Sequence, residues 1–600
     1  MANIYDQASL VMIPSGTKTS KIFSQKPVNG DGDFTFSRST AATRVNADGN
    51  IEKETQNLLL QSNQFDTTWF TSNASVTGGQ SGYNGSSDAW LLENNSSTTT
   101  AVVQQPFSLG SSVRSFSVYA KAGNVNWLRL LMYDGSTTHQ CWFNLTDGST
   151  ANASNIINAK STSIGGGWYR CEISANTNIT FTNIYPTAVA GSSLSDLGAN
   201  IYIQDAQLEQ GLVARDYIET TTAAVEGGIT DNVPRLDYTD SSCPALLLEP
   251  QRTNLLTQSE YFGAWTNYQS STNSTNEISP EGLQNAFEII ESNTLDAHTI
   301  RYQYTFQSGQ TYTITAFLKA KTRTKALLAF GGATLGGMSF EERSSIFDLS
   351  NGTITREVTG GNSTITDFGN GWYRCSVTIT PLSTSSANFD IYIADDNGDN
   401  VYQGNGSSGI YIYGAQLEAG SYATSYIPTY GTSVTRNEET CEVTSAEDLI
   451  GQTEGTIAGE FTFKSGETTN RLFSISGADW NSIGHIRFDM INLRPQAKIR
   501  SAVADIASVL GTEDIAIGSL VKFAVVYTST TLKMFVNGAQ IGSTETLSGS
   551  LPSLMNEIVV DALGGAFNSN TQNNQLNPYK QALVFKTALT DQEAIDLTTI

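Results

Sequence analysis

The sequence predicts an all-β protein, built as tandem antiparallel β-sandwich or jelly-roll domains, and four observations carry that prediction. Short runs alternate apolar and polar residues, as in Phe116-Ser117-Val118-Tyr119, Tyr312-Thr313-Ile314-Thr315-Ala316-Phe317 and Phe389-Asp390-Ile391-Tyr392-Ile393. Turn pairs such as Asp147-Gly148, Asn351-Gly352 and Asn397-Gly398 punctuate them. Charged residues make up only 15% of the chain, so a long-helix protein rich in Glu and Lys is excluded, while 39% hydrophobic residues suffice to build cores. Finally, the chain repeats itself.

The repeat sets the domain organisation. Asn57-Leu58-Leu59-Leu60-Gln61-Ser62, with Phe65 and Trp69, returns as Asn254-Leu255-Leu256-Thr257-Gln258-Ser259, with Phe262 and Trp265. Gly167-Trp168-Tyr169-Arg170-Cys171 returns as Gly371-Trp372-Tyr373-Arg374-Cys375, and Ala206-Gln207-Leu208-Glu209 as Ala415-Gln416-Leu417-Glu418. Tyr217-Ile218 and Tyr426-Ile427 close the two copies. The order is kept throughout, which gives a leader at 1–56, copy 1 at 57–220, a linker at 221–253, copy 2 at 254–430, a linker at 431–454 and a third unit at 455–600. Each unit is large enough to bury its own core. The third carries strand candidates at 456–463, 471–476, 485–490, 497–500, 520–527, 531–536, 557–560 and 580–585. Asn537-Gly538 marks a hairpin, and Thr590-Asp591-Gln592-Glu593 has capping-box spacing ahead of a short helix at 594–597.

Composition removes several function classes. A net charge of −24 argues against a nucleic-acid partner, which would want a basic surface. The longest apolar runs, such as 521–527, are strand-sized, so no membrane insertion is expected. The five cysteines are odd in number and form no CxxC, so free, mostly buried thilols in a protein that folds in a reducing cytoplasm are expected. Residues 2–13 lack the basic and apolar regions of a secretory signal. A hydroxyl- and amide-rich chain that looks extracellular but is made without an export signal fits a virion protein, which folds inside a host cell and works outside it after lysis.

No standard catalytic apparatus is present. His139, His298 and His485 lie in different units, no HExxH occurs, and they read as isolated surface histidines. Asp395-Asp396-Asn397-Gly398-Asp399-Asn400 begins like a calcium loop, but Asn400 and Gly406 stand where that loop needs Gly and Glu, so a polar turn is expected. Asp489 and Asp561 are the weaker calcium candidates. Glu209 and Glu418 recur at matched places among apolar neighbours, which suits closure of the sandwich better than the paired acids of glycoside hydrolysis. Arg323, Lys325, Arg494 and Lys498 read as solvated strand edges. Sugar recognition uses flat aromatic faces with amide or carboxylate partners. Trp69/Trp265, Trp168/Trp372 and Trp90/Phe287 are matched across the copies and read as core. Trp127, Trp142 and Trp480 have no aromatic counterpart, and with Tyr133 and Asp134 they form the candidate glycan-binding set. No catalytic residue, metal ligand or cofactor is assigned.

Two resemblances sharpen this. The order of 523–527, the hairpin at 532–538, and Ala582-Leu583-Val584-Phe585 followed by Leu589-Thr590-Asp591-Gln592-Glu593 resembles the lectin-like concanavalin/laminin-G jelly roll. Ser37-Arg38-Ser39-Thr40-Ala41-Ala42-Thr43-Arg44-Val45, Asn232-Val233-Pro234-Arg235-Leu236-Asp237-Tyr238 and Leu246-Leu247-Leu248-Glu249-Pro250-Gln251-Arg252-Thr253-Asn254 resemble head-spike and tail-fibre proteins of tailed bacteriophages. The repeated domains of those proteins are similar to carbohydrate-binding-module jelly rolls. The resemblance implies a non-enzymatic virion fibre or spike on the virion surface, attached to capsid or tail proteins through the leader 1–56. It further implies adhesion to host or environmental glycans and self-association as a homotrimer. A tailspike-type depolymerase and a purely structural decoration protein are the alternatives.

Overall fold

The computed structural model describes residues 4–192, 194–464, 469–477, 484–560 and 577–600. Nearly all regular structure is antiparallel β, as predicted. Among the described residues no helix is long and apolar enough to cross a membrane.

Each copy is a two-layer sandwich. In copy 1 two strands, Val102–Ala122 and Trp168–Thr187, pair along nearly their whole length and serve both layers. The crossing from one layer to the other falls at register shifts between Pro106, Leu109 and Ser112, where bulges bend the pair. In copy 2 the same strands are cut in two: Leu295–Phe306 and Tyr312–Ala320 on one side, Trp372–Ile379 and Ser385–Ala394 on the other. They belong to separate seven- and six-stranded sheets. The copies thus share one architecture, and short insertions in copy 2 include the loops at this bend. Phe116, Val118, Leu128, Ile173, Ile203 and Leu208 sit between the layers of copy 1; Ile314, Leu328, Val377, Ile391, Ile412 and Leu417 do so in copy 2.

The repeated motifs close the sandwiches. Asn57 donates to the carbonyls of Ala206 and Ile218 and accepts from the amides of Leu59 and Leu208. Asn254 makes the same four bonds with Ala415, Ile427, Leu256 and Leu417. Ser62 meets the Tyr217 hydroxyl at 2.6 Å, and Ser259 meets the Tyr426 hydroxyl at 2.7 Å. Gln207 and Gln416 each donate to the glutamate two residues on, Glu209 and Glu418, which in turn accept from the amides of Arg215 and Thr424. The two matched glutamates therefore hold down the closing loops.

The third sandwich is assembled from four stretches of chain. Its first sheet contains Gly455–Thr462, Leu520–Tyr527, Thr531–Val536, Ala539–Thr546 and Asn577–Phe585, extended by Leu10–Met12, Arg235–Asp237 and Ala245–Leu248. Its second contains Thr469–Ser476, Gly484–Ile491, Arg494–Ser501, Asp505–Leu510 and Glu557–Val560, extended by Thr440–Val443, Phe34–Ser37 and the small hairpin before it. Leu10, Met12, Ile22, Phe34 and Phe36 are fully buried in its core. Much of the segment expected to be a free leader is thus structural, because its alternating apolar residues complete a sheet that would otherwise expose an edge. The helix Asp591–Thr598 carries the predicted capping box at Thr590 and Glu593 and packs Ala594 and Leu597 over the outer face of the first sheet.

Two buried ion networks join the units. Arg38 Nη1 lies 2.7 Å from Glu439, which also binds Arg235; Arg235 and Arg436 lie 2.8 and 2.7 Å from Glu249. All five side chains are at most 1% exposed. Nearer copy 1, Lys53 binds Glu260 and Glu281, and Arg215 binds Glu281 and Glu209. Four of the five cysteines, Cys141, Cys171, Cys375 and Cys441, are buried, as expected, and Cys243 is exposed.

Candidate functional site

In each copy one sheet turns its outer face away from the core, and the strands place chemistry on it by simple alternation. In copy 1, Trp127–Tyr133 sends Leu128, Leu130 and Met132 inward, which leaves Trp127, Arg129, Leu131 and Tyr133 outward. Thr138–Asn144 adds Gln140 and Trp142, and the neighbouring stretch of Trp168–Thr187 adds Phe181, Asn183 and Tyr185. The Arg129 guanidinium is held between two rings, 4.9 Å from Trp142 and 4.6 Å from Tyr185, and its Nε donates to Gln140 at 2.9 Å. No carboxylate pairs with it among the described residues. Tyr133 stacks on Phe181 at 4.8 Å. Asn183 donates to the Tyr185 hydroxyl at 2.5 Å, and its own Oδ1 has no hydrogen-bond partner.

Copy 2 repeats the central pair with altered neighbours. Register places Asp390 and Tyr392 where copy 1 has Asn183 and Tyr185. The Tyr392 hydroxyl donates to Asp390 at 3.0 Å, and Arg301 Nε lies 3.4 Å from the same carboxylate. Arg301 stacks on Tyr268 at 4.0 Å, and Phe340 meets Tyr392 edge-on at 6.1 Å. Burial pushes Asp390 up to about 6, against the pull of Arg301. Gly331 is required here: a Cβ at that position would stand 1.7 Å from the Asp390 carboxylate. Its counterpart in copy 1 is Tyr133, so the two faces carry the same Asx-x-Tyr centre under different walls.

The residues singled out from sequence are distributed as follows. Trp127 and Tyr133 are half-buried on the copy 1 face. Trp142 is on that face too, but it is 4% exposed, which corrects the expectation of a surface ring: Arg129 covers it and its Nε1 donates to the Ser192 carbonyl at 2.9 Å. Asp134 lies in the adjoining turn and is spent there, accepting from the amides of Ser136 and Thr137 at 2.7 and 2.6 Å, bonds that hold its carboxyl well below the usual range. Trp480 and Asp561 lie outside the described residues. The three histidines are buried, contrary to the surface expectation; His298 Nδ1 lies 2.7 Å from the Gln269 carbonyl. Asp395 closes a polar turn on the amides of Asn397 and Asp399. The matched aromatics Trp69, Trp265, Trp168, Trp372, Trp90 and Phe287 are all buried. Trp372, however, packs with Phe317, Tyr413 and Tyr426 outside the sandwich core.

Arg129, Asn183, Tyr185, Arg301, Asp390 and Tyr392 were not singled out from sequence. The trace was there in the matched strings Asn183-Ile184-Tyr185 and Asp390-Ile391-Tyr392. A matched aromatic need not be a core aromatic, because alternation repeats the outer face as faithfully as the inner one.

The buried acids predict how stability varies with pH. Burial alone would raise Glu249 and Glu281, yet Arg436 and Arg235, and Arg215 and Lys53, outweigh it and hold both at about 2. Their contribution is present above the unfolded carboxyl range and is lost as pH falls toward 2. Burial pushes Glu172 up to about 7 and Asp205 and Asp390 up to about 6. These groups favour the folded state below the unfolded range and lose that contribution as pH rises through 6–7. The urea midpoint is therefore expected to peak at about pH 4.5–5 and to decline on both sides, since unfolded carboxyls titrate near 4. A midpoint still rising between pH 5 and 8 would contradict this.

No protein-family model matches the chain, and no curated protein matches it. Solved structures similar in part include the CBM40 module of Ruminococcus gnavus IT-sialidase bound to α2,3-sialyllactose, 16% identical, covering 26% of this chain and 87% of that one with a TM-score of 0.21. The tandem CBM22-1–CBM22-2 domain of Paenibacillus barcinonensis Xyn10C is 10% identical and covers 61% and 97% with a TM-score of 0.20. Mouse laminin α1 domains LG4-5 are 11% identical and cover 50% and 92% with a TM-score of 0.17. At these scores the likenesses decide nothing about function, and the all-β architecture rests on the chain's own sheets.

Proposed function

We propose that this protein is a non-catalytic glycan-adhesive component of a bacteriophage virion, a fibre or spike on head or tail, and that the outer faces of its two repeated sandwiches bind sugar. The observation that carries the reading is the matched Asx-x-Tyr pair, Asn183/Tyr185 and Asp390/Tyr392, set beside stacked arginine and aromatic side chains. Flat rings next to amide, carboxylate and guanidinium groups supply the stacking and hydrogen bonds a pyranose needs. The virion part is supported by the phage-like strings, whose residues Arg38, Arg235 and Glu249 join Arg436 and Glu439 in the buried network between units.

Binding is tested on a glycan array and on host cells. Tyr185 and Tyr392 are themselves buried, at 8% and 6% exposed, and hold Arg129 and Asp390 in place, so Tyr185→Ala and Tyr392→Ala are each expected to weaken binding to the responsive glycan by about tenfold through those groups. Wild-type protein that binds no glycan and no host cell would leave a structural decoration role. Shortening of host polysaccharide on incubation would instead make it a depolymerase.

Attachment to capsid or tail proteins falls to the exposed part of residues 1–56. Deleting 1–56 would strip Leu10, Met12, Phe34 and Phe36 from a core, so loss of incorporation would be uninformative. The part free to dock is the loop around Phe23 and Val28, 38% and 94% exposed. Phe23→Asp with Val28→Asp should reduce incorporation into particles while leaving the fold intact; unchanged incorporation would remove the leader from the attachment role. Assembly as a homotrimer is the accompanying proposal, read from the mass of the purified protein in solution.

A further inference from the structure

A cavity of about 260 Å³ lies where copy 1, the strand leading into it and the segment closing copy 2 meet. It is distinct from the two outer faces. Three basic side chains line it: Lys53, Arg436 and Arg114. Lys53 is committed to Glu260 and Glu281, and Arg436 to Glu249. Arg114 is not committed. It is 6% exposed, its Nη1 donates to the carbonyls of Gly110 and Thr177 at 2.7 and 3.3 Å, and its Nε has no hydrogen-bond partner. No carboxylate lies within ion-pair range of it among the described residues, and burial alone pulls its guanidinium below the ordinary value. A buried guanidinium without a counterion is costly and needs an account.

The repeat shows that the fold does not require it. Register places Tyr312 of copy 2 at the position of Arg114, each one step before the matched core pair Phe116 and Ile314. Tyr312 is 3% exposed and packs in the core of its sandwich against Phe306. One copy fills this site with a ring, while the other spends a charge there and leaves a space beside it. The rest of the wall is mixed: Gln56, Gln210, Ser111, Ser112 and Thr432 offer hydrogen-bonding groups, Ile427 and Val434 are apolar, and the carboxyl group of Glu54, which burial pushes up to about 7, also faces the space.

We propose that this cavity binds a carboxylate-bearing sugar residue of hexuronate size, with Arg114 receiving the carboxylate and the amide and hydroxyl side chains receiving the ring hydroxyls. An anion supplies the counterion the guanidinium lacks, and a charge-assisted pair in a desolvated site is the stronger kind of hydrogen bond. The site stands apart from the outer-face reading, so either can hold without the other.

Calorimetric titration of the full chain with galacturonate tests it, with galactose and acetate as controls. Saturable one-to-one binding of galacturonate, with galactose silent and acetate much weaker, is expected. Arg114→Met should weaken galacturonate binding by about tenfold or more, the scale of one lost charge-assisted bond. Should that variant fail to fold, Gln56→Ala on the cavity wall is the second test, with a smaller loss expected. The Tyr185→Ala and Tyr392→Ala variants should bind galacturonate as the wild type does. The proposal is overturned by absence of saturable binding, by binding unchanged in Arg114→Met and Gln56→Ala, or by acetate binding as tightly as galacturonate.

Discussion

Glu439→Leu is expected to destabilise the protein by about 3–5 kcal/mol, the scale measured when one partner of a buried ion network is removed. Glu439 accepts from Arg38 Nη1, from Arg235 through two nitrogens, and from the Glu249 amide at 2.9 Å. The variant leaves three buried arginines facing one glutamate. The urea midpoint reads the loss. Glu439→Gln keeps an acceptor without the charge and should fall between wild type and Glu439→Leu. Arg38→Met combined with Glu439→Leu removes a charge of each sign, so the pair should cost less than the sum of the single variants. Strict additivity would show that the network does not act as a unit.

The second large effect is local. Asn57→Leu and Asn254→Leu keep the side-chain volume but strand two amides and two carbonyls each. Each stranded buried group costs about 1–3 kcal/mol, so a loss of about 4 kcal/mol or more is expected. Asn254→Asp should be nearly as damaging, since a carboxylate cannot donate to the Ala415 and Ile427 carbonyls. Hydrogen exchange separates the sites: Asn57→Leu should expose amides of copy 1 and Asn254→Leu those of copy 2. Equal exposure of both copies by either variant would mean that they do not open as separate units.

Much of the fold was legible because its evidence is local or duplicated. Period-two runs announce strands wherever one face is buried, and Thr590 and Glu593 mark their helix within four positions. The matched Asn, Ser, Gln and Glu residues declared a shared structural task because the same substitution-free positions return in order. What stayed hidden depends on long-range meeting. Arg38, Arg235 and Glu249 stand in recognisable strings, yet nothing local says that they converge with Arg436 and Glu439 in one buried network. The leader likewise shows alternating Phe34 and Phe36 without naming the sheet they complete. The candidate faces were half legible: Trp127, Tyr133 and Trp142 share one sheet, while nothing in the alternation sets Tyr185 and Tyr392 apart from the other strand aromatics. Arg114 is the converse case, since its mismatch with Tyr312 is visible only once the strands are in register.

The way chain enters and leaves each repeated sandwich has a consequence for how such proteins gain and lose parts. Glu54–Asn57 pairs with Val225–Gly228, and Arg252–Asn254 pairs with Val434–Arg436, so each module departs and returns on two hydrogen-bonded strands, about 5 Å apart. The third sandwich, collected from residues 10–37, 235–248, 440–443 and the C-terminal stretch, is in effect a chassis whose connecting loops have each swallowed a whole domain. A module held this way is a cartridge: recombination that exchanges everything between paired entry and exit strands swaps a whole sandwich without re-threading the chassis. The buried arginines and glutamates then act as the latch that a newcomer must match.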